Sequence, residues 1–125
     1  MAPDPRLVEL AVHLFDAARE GDVEQLRDAL DAGVPVDLVD AEGNSYLMLA
    51  AYHGHLAAAE LLLARGADAN RLNGAGQSPL AGAVFKQQHA VADLLTAAGA
   101  DPNLGRPSAV EIDVTYGGGA RFGPG

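Results

Sequence analysis

The stretch Asp40–Asn70, DAEGNSYLMLAAYHGHLAAAELLLARGADAN, holds two short apolar segments, each followed by a glycine. Ser45 precedes the first segment, where its hydroxyl can accept a backbone N–H and start a helix. Gly54 and Gly66 stand where each helix must stop, because glycine adopts the left-handed conformation that ends a helix without steric cost. The stretch therefore predicts helix, turn, helix and a projecting loop. Alanines 50, 51, 57, 58 and 59 allow the helices to approach closely, and Leu61 and Leu62 are placed toward neighbouring units.

Subtraction carries the pattern outward in both directions. Gly33, Gly66 and Gly99 recur at one constant interval, as do Leu14, Leu47 and Leu80, and Ala17, Ala50 and Ala83. Gly43 pairs with Gly76, Asn70 with Asn103, and Gly21 with Gly54 at that same interval of 33. A fixed period of this length marks a stacked array in which no unit buries its faces alone. Ser78 repeats the capping hydroxyl, with Pro79 at the first helical position, where its missing N–H costs nothing. At the amino end Asp4-Pro5 starts a longer helix. Its stripe of Leu7, Leu10, Ala11, Leu14 and Ala18 is expected to cap the stack.

Ala50-Ala51, Gly54-His55, Leu61-Leu62-Leu63 and Gly66-Ala67-Asp68, set in this period, resemble the ankyrin repeat. SPLAGAV and LLTAAGADPN in the next unit, with LFDAAREGD and ALDAGVPVD in the one before, extend the likeness over about residues 7–104. The resemblance implies an all-α solenoid of about three helix-turn-helix units with projecting loops. The units fall at about residues 5–39, 40–72 and 73–104, within a repeat domain of residues 1–104. One departure concerns the loops. Where the family favours Thr-Pro-Leu-His, this chain has Ser45-Tyr46-Leu47-Met48, Ser78-Pro79-Leu80-Ala81 and Val12-His13-Leu14-Phe15. The histidine that ties neighbouring loops is absent, and weaker coupling through the loops is expected.

Residues 105–125 form an atypical glycine-rich tail, or a partial fourth repeat. Ser108 to Glu111 matches a capping box, yet Ser108 falls short of the position that the period projects from Ser78. This start also sets Asp113 where a buried alanine is expected. Val110, Ile112, Val114 and Tyr116 alternate with polar residues as a strand would. Helix, strand and disorder stay open for this segment. GGGARFGPG is expected to form neither helix nor core, which leaves the last full repeat poorly covered.

Composition bounds the chemistry. The net charge is −9, with Lys86 and seven scattered arginines as the only permanent side-chain cations. Nucleic-acid binding requires clustered cations to displace counterions, so it is not expected. The absence of cysteine excludes disulfides, a thiolate nucleophile and a Cys-ligated zinc. The stretch from Met1 to Asp16 carries Asp4, Glu9 and Asp16 without a continuous apolar core, and the longest apolar run is far too short to span a membrane. A cytoplasmic location without membrane contact is therefore expected. His53-Gly54-His55 suggests a metal site, but His13 and His89 belong to other units, and a metal needs at least three ligands held together. Neither nucleophile-elbow nor phosphate-loop spacing is present. No enzyme activity, cofactor or metal is expected.

The family resemblance assigns His55 to bracing adjacent units through loop backbone. It also implies a protein partner on a concave face made from loop tips and first-helix ends. Those positions give Arg19 and Glu20, Tyr52 and His53, and Phe85 and Lys86, with Glu42, Asn44 and Gln77 among the loop residues. Arg19, Tyr52 and Phe85 share the period and are expected to align as a ladder; alternatively, the two rings lie flat on the neighbouring helix. LMLAAYHGH and SPLAGAVF resemble small free-standing bacterial ankyrin-repeat proteins, and seven arginines to one lysine fit a GC-rich genome. Some proteins of that group accompany catalase-type enzymes in stress defence, which makes an accessory role the second reading. The expected state is a monomer or weak self-association through the carboxyl end.

Overall fold

The computed structural model describes residues 4–122. It contains α1 (Pro5–Glu20), α2 (Val23–Asp31), α3 (Tyr46–Tyr52), α4 (Leu56–Ala64), α5 (Pro79–Phe85), α6 (His89–Ala97) and α7 (Ala109–Tyr116). Helices α1, α3, α5 and α7 pack in succession as one layer, and α2, α4 and α6 form the second layer. The all-helical solenoid expected from the period is the observed architecture.

Local chemistry sets the helix starts. Asp4 accepts a hydrogen bond from Arg6 N, Ser45 from Met48 N and Ser78 from Ala81 N, and α5 opens with Pro79. Each cap satisfies a backbone donor that the helix itself leaves unpaired. Between the layers, Leu14, Leu47 and Leu80 are buried at equivalent positions, as are Ala17, Ala50 and Ala83. Leu62 and Leu95 do the same for the second layer. Helix α3 lies between α1 and α5, and its residues Tyr46 to Ala51 are all buried. One expectation is corrected at the amino end: Leu7 and Ala11 of the capping stripe pack against the core, but Leu10 is 41% exposed.

Neighbouring loops are coupled more fully than the missing histidines suggest. Asn73 Nδ2 donates to Asn44 Oδ1 at 2.9 Å, and Gly74 N donates to Glu42 O at 2.9 Å. On the other side of the array Asp68 N donates to Asp37 Oδ1 and Asp101 N to Asn70 Oδ1, two bonds related by the repeat. Side-chain amides, carboxylates and main chain take over the tie that Met48 and Ala81 cannot make.

The tail resolves as a helix followed by a return. Ser108 and Glu111 close the capping box in both directions at 3.2 Å, and α7 packs on α5 through Ala109, Ile112 and Asp113. Asp113 is buried at the position where alanine stands in earlier units, and its Oδ2 accepts from Arg121 N at 2.9 Å. Arg121 then reaches Asp93 Oδ1 and His89 Nδ1, each at 2.7 Å, and Phe122 packs against the core. The expectation that GGGARF contributes nothing to the core is therefore corrected: the glycines make the turn and two anchors follow it. No described helix is long and apolar enough to cross a membrane.

Two consequences can be measured. Tyr46 is buried, its hydroxyl donates to Ala11 O at 2.8 Å, and burial pushes its pKa up to about 12. The folded-state value lies above the unfolded value near 10, so this contribution is complete below about pH 10 and is lost as pH rises through the folded value. Tyr46→Phe should cost about 1 kcal/mol at neutral pH in urea unfolding and flatten the alkaline limb of the stability curve. Separately, deletion of residues 105–125 uncovers the α5 face and should lower the melting temperature and promote association. An unchanged melt with unchanged sedimentation would remove any capping role for the tail.

Candidate functional site

The helix ends and loop tips enclose a groove of about 940 Å³. Its loop wall is built twice from the same local device. Asp40 Oδ1 accepts from Glu42 N and Asn44 N at 2.9 Å each. Asn73 Oδ1, one period later, accepts from Ala75 N at 3.0 Å and Gln77 N at 2.9 Å. Such side-chain turns fix the loop tip without help from a neighbouring strand. Gly43 completes the first tip with φ 81°, and a Cβ there would lie only 2.6 Å from Gly74 N. No other residue type fits this approach between adjacent tips.

The helix wall carries the ladder. Arg19, Tyr52 and Phe85 all line the groove, together with Glu42, Asn44, His53 and Gln77. Glu20 is exposed outside the lining, and Lys86 is also outside it, with Nζ 5.3 Å from the centroid of the Tyr52 ring. Tyr52 is half-buried against Gly82 of α5, so for this ring the flat-lying alternative holds in part. Phe85 is 51% exposed. Arg19 crosses from the helix end to the loop base, donating to Asp16 Oδ1 at 2.9 Å and to Asp40 Oδ2 at 3.3 Å. His53 has its pKa lowered by burial and then by repulsion from His55, Arg19 and Lys86. It is neutral at pH 7. Its stabilising contribution is complete above the unfolded value near 6.5 and is lost as pH falls through the lower folded value.

The period does not expose every residue at the site. Asp40 and Asn73, which shape both tips, are absent from the expected set, although Asp or Asn three residues before a glycine is a turn signal. Met48 and Leu49 line the groove beneath them. Tyr116 is 71% exposed and meets Phe85 edge-on with ring centroids 6.0 Å apart. It extends the aromatic row into α7, off the period that links Arg19, Tyr52 and Phe85, so repeat arithmetic does not find it. Among the described residues no group of three His, Cys, Asp or Glu side chains could hold a metal ion.

His55 belongs to the frame of this site. Its Nε2–H donates to Arg19 O at 2.7 Å, joining the second unit to the first just behind the ladder. One period later Gln88 Nε2 donates to Tyr52 O at 3.4 Å. Gly54 (φ 78°) makes room for that amide, since a Cβ would collide with the Gln88 side chain. Gln87 occupies the equivalent position in the third unit and holds a left-handed φ of 58° without being glycine.

Three stacked helix pairs with braced loop tips define a helical-repeat solenoid. The family model for ankyrin repeats, in three copies, matches residues 14–106, and the chain belongs to the ankyrin-repeat family. It is similar to an ankyrin-repeat protein of Pseudomonas aeruginosa, 48% identical over 58 residues, which cover 46% of this chain and 34% of that protein. Acyl-CoA-binding domain-containing protein 2 of Arabidopsis thaliana is 43% identical over 58 residues, or 46% of this chain and 16% of its own length. GA-binding protein subunit beta-2 of Mus musculus is 42% identical over 60 residues, or 48% and 14%. The matched segment thus spans about a third or less of each of these relatives.

The brace can be tested against its own repeat. His55→Ala leaves the Arg19 carbonyl without its partner and should cost about 1–2 kcal/mol in denaturant unfolding. His55→Gln installs the residue that the third unit uses at this position and should recover most of that loss. Equal stabilities for the two variants would show that the bond to Arg19 has no bracing effect.

Proposed function

We propose that this chain is a non-catalytic protein-interaction module that binds its partner in the concave groove between loop tips and helix ends. The observation that supports this most directly is the convergence of Arg19, Glu42, Asn44, Tyr52, His53, Gln77 and Phe85 on one groove from three successive units. Asn44 and Gln77 also hold Asn73 and Arg19 also holds Asp40, but the Phe85 ring is half-exposed and no core contact among the described residues accounts for it. Asp40 and Asn73 hold the tips through backbone N–H groups, and the core is made of leucine and alanine. Large aromatic side chains on an otherwise polar rim are the residue types that dominate binding energy at protein interfaces. Ankyrin arrays as a family mediate protein contacts, which agrees with a protein rather than a small molecule as ligand.

The test uses the intact chain as bait in extract of its own cells, with the Tyr52→Ala/Phe85→Ala double variant as control. A partner retained by the wild type should be lost by the variant, at a cost of about 2 kcal/mol or more in binding. Phe85 is half-exposed and Tyr52 lies at the end of α3, so circular dichroism should show both proteins folded. Equal retention by the two baits would place the interface elsewhere.

A further inference from the structure

The charge around the groove specifies the kind of segment that fits it. Arg19 is answered by two carboxylates, Asp16 at 2.9 Å and Asp40 at 3.3 Å, and has little positive field left to offer. His53 is neutral at pH 7, because burial and the neighbouring His55, Arg19 and Lys86 oppose its protonation. Lys86 lies over the Tyr52 ring at the far helix end. Glu42, in contrast, stands exposed at the first loop tip. Its Oε2 accepts from the neutral Asn44 amide at 3.3 Å, and among the described residues no Lys, Arg or His forms an ion pair with it. The groove lining thus sets Asp40 and Glu42 against Arg19, which Asp16 outside the lining also neutralises, beside walls of Tyr52 and Phe85.

Building on the interaction reading above, we infer that the groove takes a protein segment in which an arginine or lysine is flanked by apolar side chains. The cation meets Glu42 at the loop tip, and the apolar groups lie against Tyr52 and Phe85 over Met48 and Leu49. A long basic side chain suits this arrangement, since its hydrocarbon stem covers the apolar wall while its charged head reaches the rim. An acidic segment entering the same place would set like charges side by side, which opposes docking. The net charge of −9 acts in the same direction at longer range and speeds the approach of a basic partner at low salt.

A random peptide library displayed on phage, selected on the wild-type chain and counter-selected on the Tyr52→Ala/Phe85→Ala variant, tests both layers of the argument. The enriched peptides should carry Arg or Lys beside Leu, Ile, Val or Phe and be poor in Asp and Glu. Synthesised singly, they should bind Glu42→Gln about twofold to fivefold more weakly than wild type, as expected for an exposed ion pair. Glu42→Lys should weaken them further, to about tenfold. Enriched peptides that are acidic or uncharged, or that ignore Glu42→Lys, would overturn the inferred partner chemistry while leaving the groove in place. Failure to enrich any peptide that depends on the aromatic pair would overturn the concave face itself as the binding surface.

Discussion

Stacking is the constraint on which everything else in this molecule depends. A helix pair of this length has apolar surface on both sides and covers only part of it by folding on itself. Helix α3 shows the result: Tyr46 through Ala51 are buried because α1 closes one side and α5 the other. Alanine at positions 50, 51, 58 and 59 brings the backbones close, and the leucines at 47 and 62 fill the remaining space. Burial of each such leucine contributes about 1.5–3 kcal/mol, which a single unit could not gather. Since the units meet at a fixed spacing, their loop tips do too, and the groove inherits its shape from the core.

The same physics explains which parts of the fold are legible in the sequence. Leu14, Leu47 and Leu80 occupy one structural position, and their period of 33 gives the array away before any helix is drawn. The glycine stops and serine caps are equally legible because they act within a few residues. The carboxyl end is harder, since the Ser108 cap comes earlier than the period counted from Ser78 would place it. Its strand-like alternation also competes with the local capping box. Packing decides between them. Ala109, Ile112 and Asp113 sit at i, i+3 and i+4, the spacing of a helix face, and that face meets α5. A lone strand would find no ladder partner there. The return of Arg121 and Phe122 is hidden for a different reason: it depends on Asp113, Asp93 and His89, which converge only once α6 and α7 are in place.

At the site, repeat arithmetic finds positions and cannot find charge pairing. It places Arg19, Tyr52 and Phe85 in one row, and all three line the groove. It does not reveal that Asp40, from the following unit, claims the Arg19 guanidinium from across the groove. Nor does it separate Glu20, which faces outward, from Glu42, which lines the groove. Both are acidic residues at expected contact positions, and only the direction of the backbone at a helix end and at a loop tip distinguishes them.

Comparison of the units with one another separates scaffold from surface. Positions that carry packing or turns recur: leucine at 14, 47 and 80, alanine at 17, 50 and 83, glycine at 33, 66 and 99. Positions that face the groove change from unit to unit, from Arg19 to Tyr52 to Phe85, from Glu42 to Ala75 and from Asn44 to Gln77. A side chain confined by neighbours on all sides tolerates little variation in volume, whereas one that borders solvent is free of that constraint. The groove is therefore not periodic although its frame is, and it runs from Glu42 to Phe85, whose ring meets Tyr116 outside the groove. That gradient makes the two ends of the surface chemically distinct. A repeat array with identical groove residues in each unit would bind its partner equally well in several registers. Here Arg19, Tyr52 and Phe85 make the units unequal at the groove while the leucine and alanine frame stays unchanged.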